Sequence, residues 1–185
     1  MPENNLKAII ECLLFLSETP LPVKRLREII PGAGAEAISG AIQALIEDFA
    51  QDHRGIELRE VAGGFQIRSR PEFKDYVKRL RQFQPTRLSA PAMETLAIVA
   101  YKQPVLKAEI ERLRGVEVGG ILRLLIEKGL IRIVGRKNLP GRPIIYGTSR
   151  KFLELFDLMD LSALPTLEEF FQWTGESVDG ARKDS

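Results

Sequence analysis

The 185 residues are 44% hydrophobic and 28% charged, with a formal net charge of +2, a composition that fits a globular chain with room for one ordinary domain or two small ones. No apolar run approaches the roughly 20 residues that a membrane-spanning helix needs; the longest, "AIIECLLFL", lies between Lys7 and Glu18, so no membrane contact is expected. The start "MPENNLK" lacks the cationic opening of a secretory leader, and with a single cysteine in the chain the expected location is cytoplasmic.

Taken in order, residues 6–16 read as a mostly buried helix that stops at "SETPLP", where Pro20 and Pro22 forbid its continuation. Cys12 is expected in its core. "VKRLREII" is a short amphipathic second helix, and "AEAISGAIQALIEDF" a third, with Ile38, Ile42, Leu45, Ile46 and Phe49 on one stripe. The period then changes from helical to alternating: "IELREV" and "FQIRS" predict a hairpin turning at Gly63 and Gly64.

Three helices and a hairpin are the order of a winged helix, and the order recurs. Pro20 corresponds to Pro104, Leu21 to Val105, Leu26 to Ile110 and Ile29 to Leu113; in the third helices Ile38 corresponds to Val118, Gly40 to Gly120 and Leu45 to Leu125. The fold expected is therefore mainly α with small β-hairpin wings (α+β), as two tandem winged-helix domains at residues 1–80 and 89–168. A linker at 81–88 precedes Ser89, the expected N-cap of the next helix, with Pro91 in its first turn. The second copy buries Val118, Ile121, Leu122, Leu125 and Ile126, and ends in the hairpin "LIRIVGRK" and "IIYGT". "SRKFLELFDLMDL" adds a further helix, and residues 169–185 are expected to be disordered.

Charge is unevenly divided along this plan. Residues 1–80 carry net −1, residues 89–150 net +6 and residues 151–185 net −5, so positive potential gathers on the second copy.

No catalytic constellation emerges. His53 is the only histidine, which leaves no multi-histidine metal site, and it stands in the polar stretch "QDHRG" without a nucleophile motif nearby. The loop "VGRKNLPGRPIIYG" fails as a phosphate cradle: Gly135 and Gly141 are six apart, Arg142 replaces lysine, Pro143 takes the Ser/Thr place, and a strand follows instead of a helix. Neither a cofactor nor a metal is expected.

Binding remains, and the third helices decide of what kind. Residues 36–49 contain no lysine or arginine, while Glu36, Glu47 and Asp48 would face a phosphate backbone. The non-core side of that helix presents Ala37, Gly40, Ala41 and Ala44, small enough for another helix to approach closely, and these are the candidate dimer contacts. In the second copy Arg123 and Lys128 are opposed by Glu127, and Leu124 falls outside the buried stripe. Either a protein partner or the chain's own linker or last helix would cover it. The wing cations Arg132, Arg136, Lys137 and Arg142 permit weak, salt-sensitive phosphate contact, on a loop stiffened by Pro140 and Pro143.

"ETLAIVAYKQP", "RGVE" and "GRKNLPGRPIIYGT" together resemble the signature region of the segregation and condensation protein B family, and "AIIECLLFLSETPL" and "GIELREVAGGFQIRSRPEF" are similar to its first domain. The resemblance runs from about residue 6 to 168; "VEVGG" is more apolar than the family's usual Asp- and Ser-containing start of that helix. What it implies is a non-enzymatic homodimer that binds the central region of the kleisin ScpA (segregation and condensation protein A), and through it the SMC ATPase heads, with DNA contact weak or indirect and nucleoid association through the complex. On this reading the first domain dimerises and the second binds kleisin through Tyr101, Lys102, Gln103, Arg123, Leu124, Arg136, Lys137 and Arg142. The alternative is a winged-helix transcription regulator or nonspecific DNA binder.

Overall fold

The computed structural model describes residues 3–81, 88–166 and 169. Most of the linker expected at 81–88 and nearly all of the tail expected from 169 onward lie outside them. Helix α1 (Glu3–Leu16) places Leu6, Ile10 and Leu14 on one buried stripe at four-residue spacing. Pro22 is the N-cap of α2 (Val23–Ile29), and α3 (Ala35–Phe49) buries Ile38, Ile42, Leu45 and Phe49. Strands β1 (Ile56–Val61) and β2 (Gly64–Ser69) pair antiparallel, from Ile56 opposite Ser69 to Val61 opposite Gly64. A 3₁₀ turn (Pro71–Phe73) then leads into α4 (Lys74–Arg81), a helix the sequence pattern does not announce.

The plan repeats in the second half. Helix α5 (Ala90–Lys102), strand β3 (Val105–Leu106), α6 (Lys107–Arg114), α7 (Gly119–Glu127), β4 (Ile131–Arg136) and β5 (Ile144–Thr148) form a second helical cluster with a sheet ordered β3-β5-β4. The small strand β3 has a trace in the first half. Leu21, the residue matched to Val105 by sequence, exchanges two backbone hydrogen bonds with Phe65, each 2.9 Å. Helix α8 (Arg150–Phe156) follows, ended by Asp157 in the left-handed region at φ 58°, and a 3₁₀ turn covers Leu161–Ala163.

Each half has its own apolar core. Ile10, Leu14, Leu26, Ile38, Leu45 and Phe49 anchor the first, and Leu96, Val99, Ile110, Val118, Leu125 and Phe152 the second. Main-chain and side-chain bonds then join the halves. Ala62 and Gly63, at the tip of the first hairpin, donate their N–H groups to the carbonyls of Leu158 (2.9 Å) and Met159 (3.1 Å). Arg68 donates to Asp157 Oδ1 at 2.9 Å and to the Glu154 carbonyl at 2.9 Å, Arg59 also pairs with Asp157, and Arg150 reaches the Pro20 carbonyl at 2.7 Å.

Several expectations change. Cys12 is exposed, because the core takes the stripe of Leu6, Ile10 and Leu14 with Ile9 and Leu13 at its edges, and Cys12 falls on the opposite side of α1. The first hairpin turns at Ala62 and Gly63, with φ 52° and 68°, the paired positive values a two-residue I′ turn requires. Gly64 is a strand residue instead, needed because a Cβ there would meet the Leu21 backbone at 2.8 Å. Ile126 is 37% exposed, at the rim of a stripe formed by Val118, Leu122 and Leu125. Ser89 is the N-cap of α5 in backbone position, without a side-chain hydrogen bond.

Candidate partner-binding surfaces

On the first half, the α3 face assembles as the helical period requires. Ala37, Gly40, Ala41 and Ala44, with Leu6, Lys7 and Glu36, line one groove of about 500 Å³ between α1 and α3. Lys7 pairs with Asp48 at 2.5 Å across the same two helices. With only methyl groups and a glycine on its floor, the groove lets a backbone come close.

A second surface was not singled out from the sequence. On the outer side of α1, Phe15 and Leu16 are 76% and 70% exposed, and Ala8, Glu11, Cys12 and Phe15 border a hollow of about 280 Å³ with Phe49, Ile56 and Ile67. The signal was present in "AIIECLLFL", which holds more apolar residues than one buried stripe can take.

On the second half the candidate contacts have different fates. Gln103 is engaged inside the fold: its Oε1 accepts from the Thr148 N–H at 2.8 Å, and its Nε2 donates to the Ala100 carbonyl at 3.0 Å and to Thr148 Oγ1 at 2.9 Å. It ties the end of α5 to the end of β5, across a peptide bond to Pro104 that is cis. Tyr101 is half exposed and donates its hydroxyl to the Pro165 carbonyl at 2.6 Å; Lys102 beside it is exposed. Tyr101 and Gln103 share a cavity with Leu161, Leu164, Pro165 and Thr166.

Helix α7 presents Arg123 and Leu124 outward. Arg123 is paired with Glu127 at 2.9 Å, a four-residue spacing that reduces the positive charge offered to a partner. The apolar start of this helix is served from outside: Glu111 on α6 accepts the Val118 N–H at 3.1 Å, which is what a capping side chain would otherwise do. Lys107 pairs with Glu111 at 3.4 Å and lies 3.3 Å from where a Gly119 Cβ would stand.

The wing is a closed loop. Lys137 donates its N–H to the Pro143 carbonyl at 2.9 Å and Arg142 to Leu139 at 2.8 Å, with Gly141 at φ 80°. Proline followed by a positive-φ glycine inside a four-residue turn is the type II pattern. Arg136 reaches across to the Arg142 carbonyl at 3.2 Å, and Arg132 to the Thr148 carbonyl at 3.2 Å, whereas the side chains of Lys137 and Arg142 stand exposed. A bulge between Ile133 and Gly135 leaves Ile133 and Val134 half exposed near them.

His53 is exposed, as its polar surroundings suggested. Among the described residues no helix is long and apolar enough to cross a membrane, and no group of three potential metal ligands occurs.

Comparison with known proteins agrees on one family. The profile described as "Segregation and condensation complex subunit ScpB" matches residues 8–167. The chain is 48% identical to segregation and condensation protein B of Syntrophotalea carbinolica over 177 residues, which are 96% of this chain and 89% of that one. It is 47% identical to the protein of the same name from Moorella thermoacetica over 166 residues, 90% and 85% of the two chains. Among solved structures, a dimer of the ScpB N-terminal domain complexed with an ScpA peptide aligns with 28% identity and a TM-score of 0.39, over 42% of this chain and 95% of that one. By profile and by near-full-length identity, the chain belongs to the ScpB family, the non-catalytic subunits of the segregation and condensation complex.

Proposed function

We propose that this chain acts as a homodimer that holds the central region of the kleisin ScpA and through it joins the SMC ATPase heads at the nucleoid. The first winged helix, residues 1–80, dimerises through the groove floored by Ala37, Gly40, Ala41 and Ala44. The second, residues 89–168, receives the kleisin. What carries the second assignment is one association of properties: Leu124, Ile133, Val134 and Leu139 remain between 38% and 52% exposed, on a half whose wing also exposes Lys137 and Arg142. Apolar anchors with cations around them suit an amphipathic, acidic polypeptide segment better than a duplex groove. DNA contact on this reading is weak or indirect. Tyr101 and Lys102 would border the bound segment, and Gln103 would act only by positioning β5.

The test uses the full chain and an ScpA central fragment in a binding titration. Leu124→Glu, and Arg136→Glu combined with Arg142→Glu, should each weaken ScpA at least tenfold with the circular dichroism unchanged; wild-type affinity in both would refute the assignment. A second reading is favoured by exposed Phe15 and Leu16, which offer the first half as the kleisin site. Under it Phe15→Glu, and not Leu124→Glu, abolishes binding. Tight, sequence-selective DNA binding near physiological salt without ScpA affinity would instead support the regulator.

A further inference from the structure

Helix α4 carries an apolar stripe that neither core uses. Its main packing neighbour is the 3₁₀ turn before it, and Arg70 pins that turn to the first half. The Arg70 backbone N–H donates to the Gly55 carbonyl at 3.1 Å, and its Nη2 to the carbonyls of Phe49 and Gln51, each at 2.9 Å. The Phe73 ring lies 3.9 Å from where a Gly55 Cβ would stand. The helix is therefore held at its first end and presents its outer side to the surroundings of the chain. Tyr76 is 69% exposed and Leu80 84%, and neither belongs to an apolar core.

At 3.6 residues per turn, Tyr76, half-buried Val77 and Leu80 occupy about 100° of arc, with Phe73 leading into it. Lys74 stands about 60° beyond one edge of the stripe and Arg79 about 60° beyond the other; both are exposed. Asp75, the only acidic residue of the helix, faces the opposite way, where Lys78 pairs with it at 3.5 Å. Cations at both boundaries and the acid at the far pole suit a helix lying in the plane of a lipid surface. The apolar side enters the acyl boundary, while the long stems of lysine and arginine keep their charges among the headgroups. Anionic headgroups complement both boundaries at once.

Other occupants fit less well. A second α4 laid along the stripe would set Lys74 and Arg79 of two copies beside each other. A nucleic-acid backbone would meet the cations and leave Tyr76 and Leu80 without apolar cover. A polypeptide helix is held best in a groove, and α4 offers a convex ridge. The expectation against membrane contact came from the length of apolar runs, which governs only helices that cross a bilayer.

We propose that α4 is a reversible surface anchor, docking on anionic lipid through Phe73, Tyr76 and Leu80 with Lys74 and Arg79 at the headgroups. The inference is independent of where ScpA binds and of the dimer contact.

The experiment is cosedimentation of the full-length chain with vesicles of phosphatidylcholine alone, and with vesicles in which an equal part of phosphatidylglycerol is mixed. Partitioning should be about tenfold stronger onto the mixed vesicles and should decline as salt is raised. Tyr76→Ser and Leu80→Ser, both at exposed positions, should each lower it about fivefold with the circular dichroism unchanged. Lys74→Glu combined with Arg79→Glu should reduce it to the phosphatidylcholine level. Lys24→Glu combined with Arg27→Glu makes the same charge change at exposed positions of α2 and should retain most of the binding. Equal partitioning onto the two vesicle types would overturn the proposal, as would binding unaffected by Tyr76→Ser and Leu80→Ser. Equal losses from the two charge reversals would show a general attraction of net charge and overturn it too. A wild type that ignores both vesicle types, with self-association abolished by Leu80→Ser, would assign the stripe to a second copy and end the proposal.

Discussion

Arg68 donates to Asp157 at 2.9 Å across 89 residues of sequence, and Arg59 meets the other oxygen of the same carboxylate. One side chain at the end of α8 therefore holds both strands of the first hairpin. It does so from a left-handed backbone, φ 58°, which asparagine and aspartate tolerate better than other residues carrying a Cβ.

Asp157→Asn keeps that backbone tolerance and removes the charge. Because Asp157 is about one-third exposed, the lost pairing should cost only about 1 kcal/mol. Asp157→Ala should add about 1 kcal/mol of left-handed strain. In both, amide exchange at Ala62 and Gly63 should accelerate while the two cores stay protected; protection unchanged at those amides would show that the carboxylate does not hold the halves together.

Gln103 fills the space above Gly147, where an added Cβ would lie 2.9 Å from Gln103 Oε1 and 2.9 Å from Val134. Gln103→Ala leaves the N–H of buried Thr148 without its acceptor and should destabilise the chain by about 1–3 kcal/mol in urea denaturation. Gly147→Ala should show a loss of similar size, about 1–3 kcal/mol, by crowding the same amide. Two near-neutral results would dissociate this contact from stability.

At the first hairpin, two neighbouring substitutions should move stability in opposite directions. Gly64→Ala drives a methyl against the Leu21 and Pro22 backbone, at 2.8 and 2.9 Å, and should cost about 1–3 kcal/mol. Ala62→Asn supplies the residue favoured at a positive-φ turn position and should gain about 0.5–1 kcal/mol. Thermal denaturation of the pair checks the turn assignment, and a destabilised Ala62→Asn would contradict it.

Asp160 and Glu169 both ionise below the ordinary carboxylate range. For Asp160 the Ser162 hydroxyl is the main cause, with its N–H second; for Glu169 the Thr166 N–H leads and its hydroxyl follows. A depressed folded value means that the stabilisation is complete above the unfolded value and disappears as pH falls through the folded one. Amide exchange at Ser162 and Thr166, corrected for its intrinsic pH dependence, should therefore stay slow from neutrality down to the usual carboxylate range and quicken below it. Protection that persists at still lower pH would remove these caps from the account.

Local pattern made much of the fold legible. The limits of α3, the strands of the first hairpin and the helix-hairpin order of the second half follow from apolar spacing and from proline and glycine punctuation. Cys12 was misplaced because an apolar run says how much can be buried and not how much the rest of the core will accept. Helix α4, with Tyr76 and Leu80 exposed, lacks the buried stripe that would have marked it. Gln103 reads as a contact in sequence because the hydrogen bonds that hold it inside the fold depend on Thr148, 45 residues away. The Asp157 clamp escaped for the same reason: nothing near Asp157 in sequence names its arginines.

The junction formed by Ala62 and Gly63 with Leu158 and Met159 uses only peptide groups. Ala62 and Met159 enter it through main-chain atoms alone, so their side chains can drift in evolution while the seam survives, whereas Gly63 is held by its positive φ and Leu158 by packing against the second core. Aligned relatives would then record variability where the two modules are stitched. The paired copies are also no longer equivalent: one has its hairpin turned inward as a fastening, and the other keeps its own facing outward for whatever the assembly brings to it.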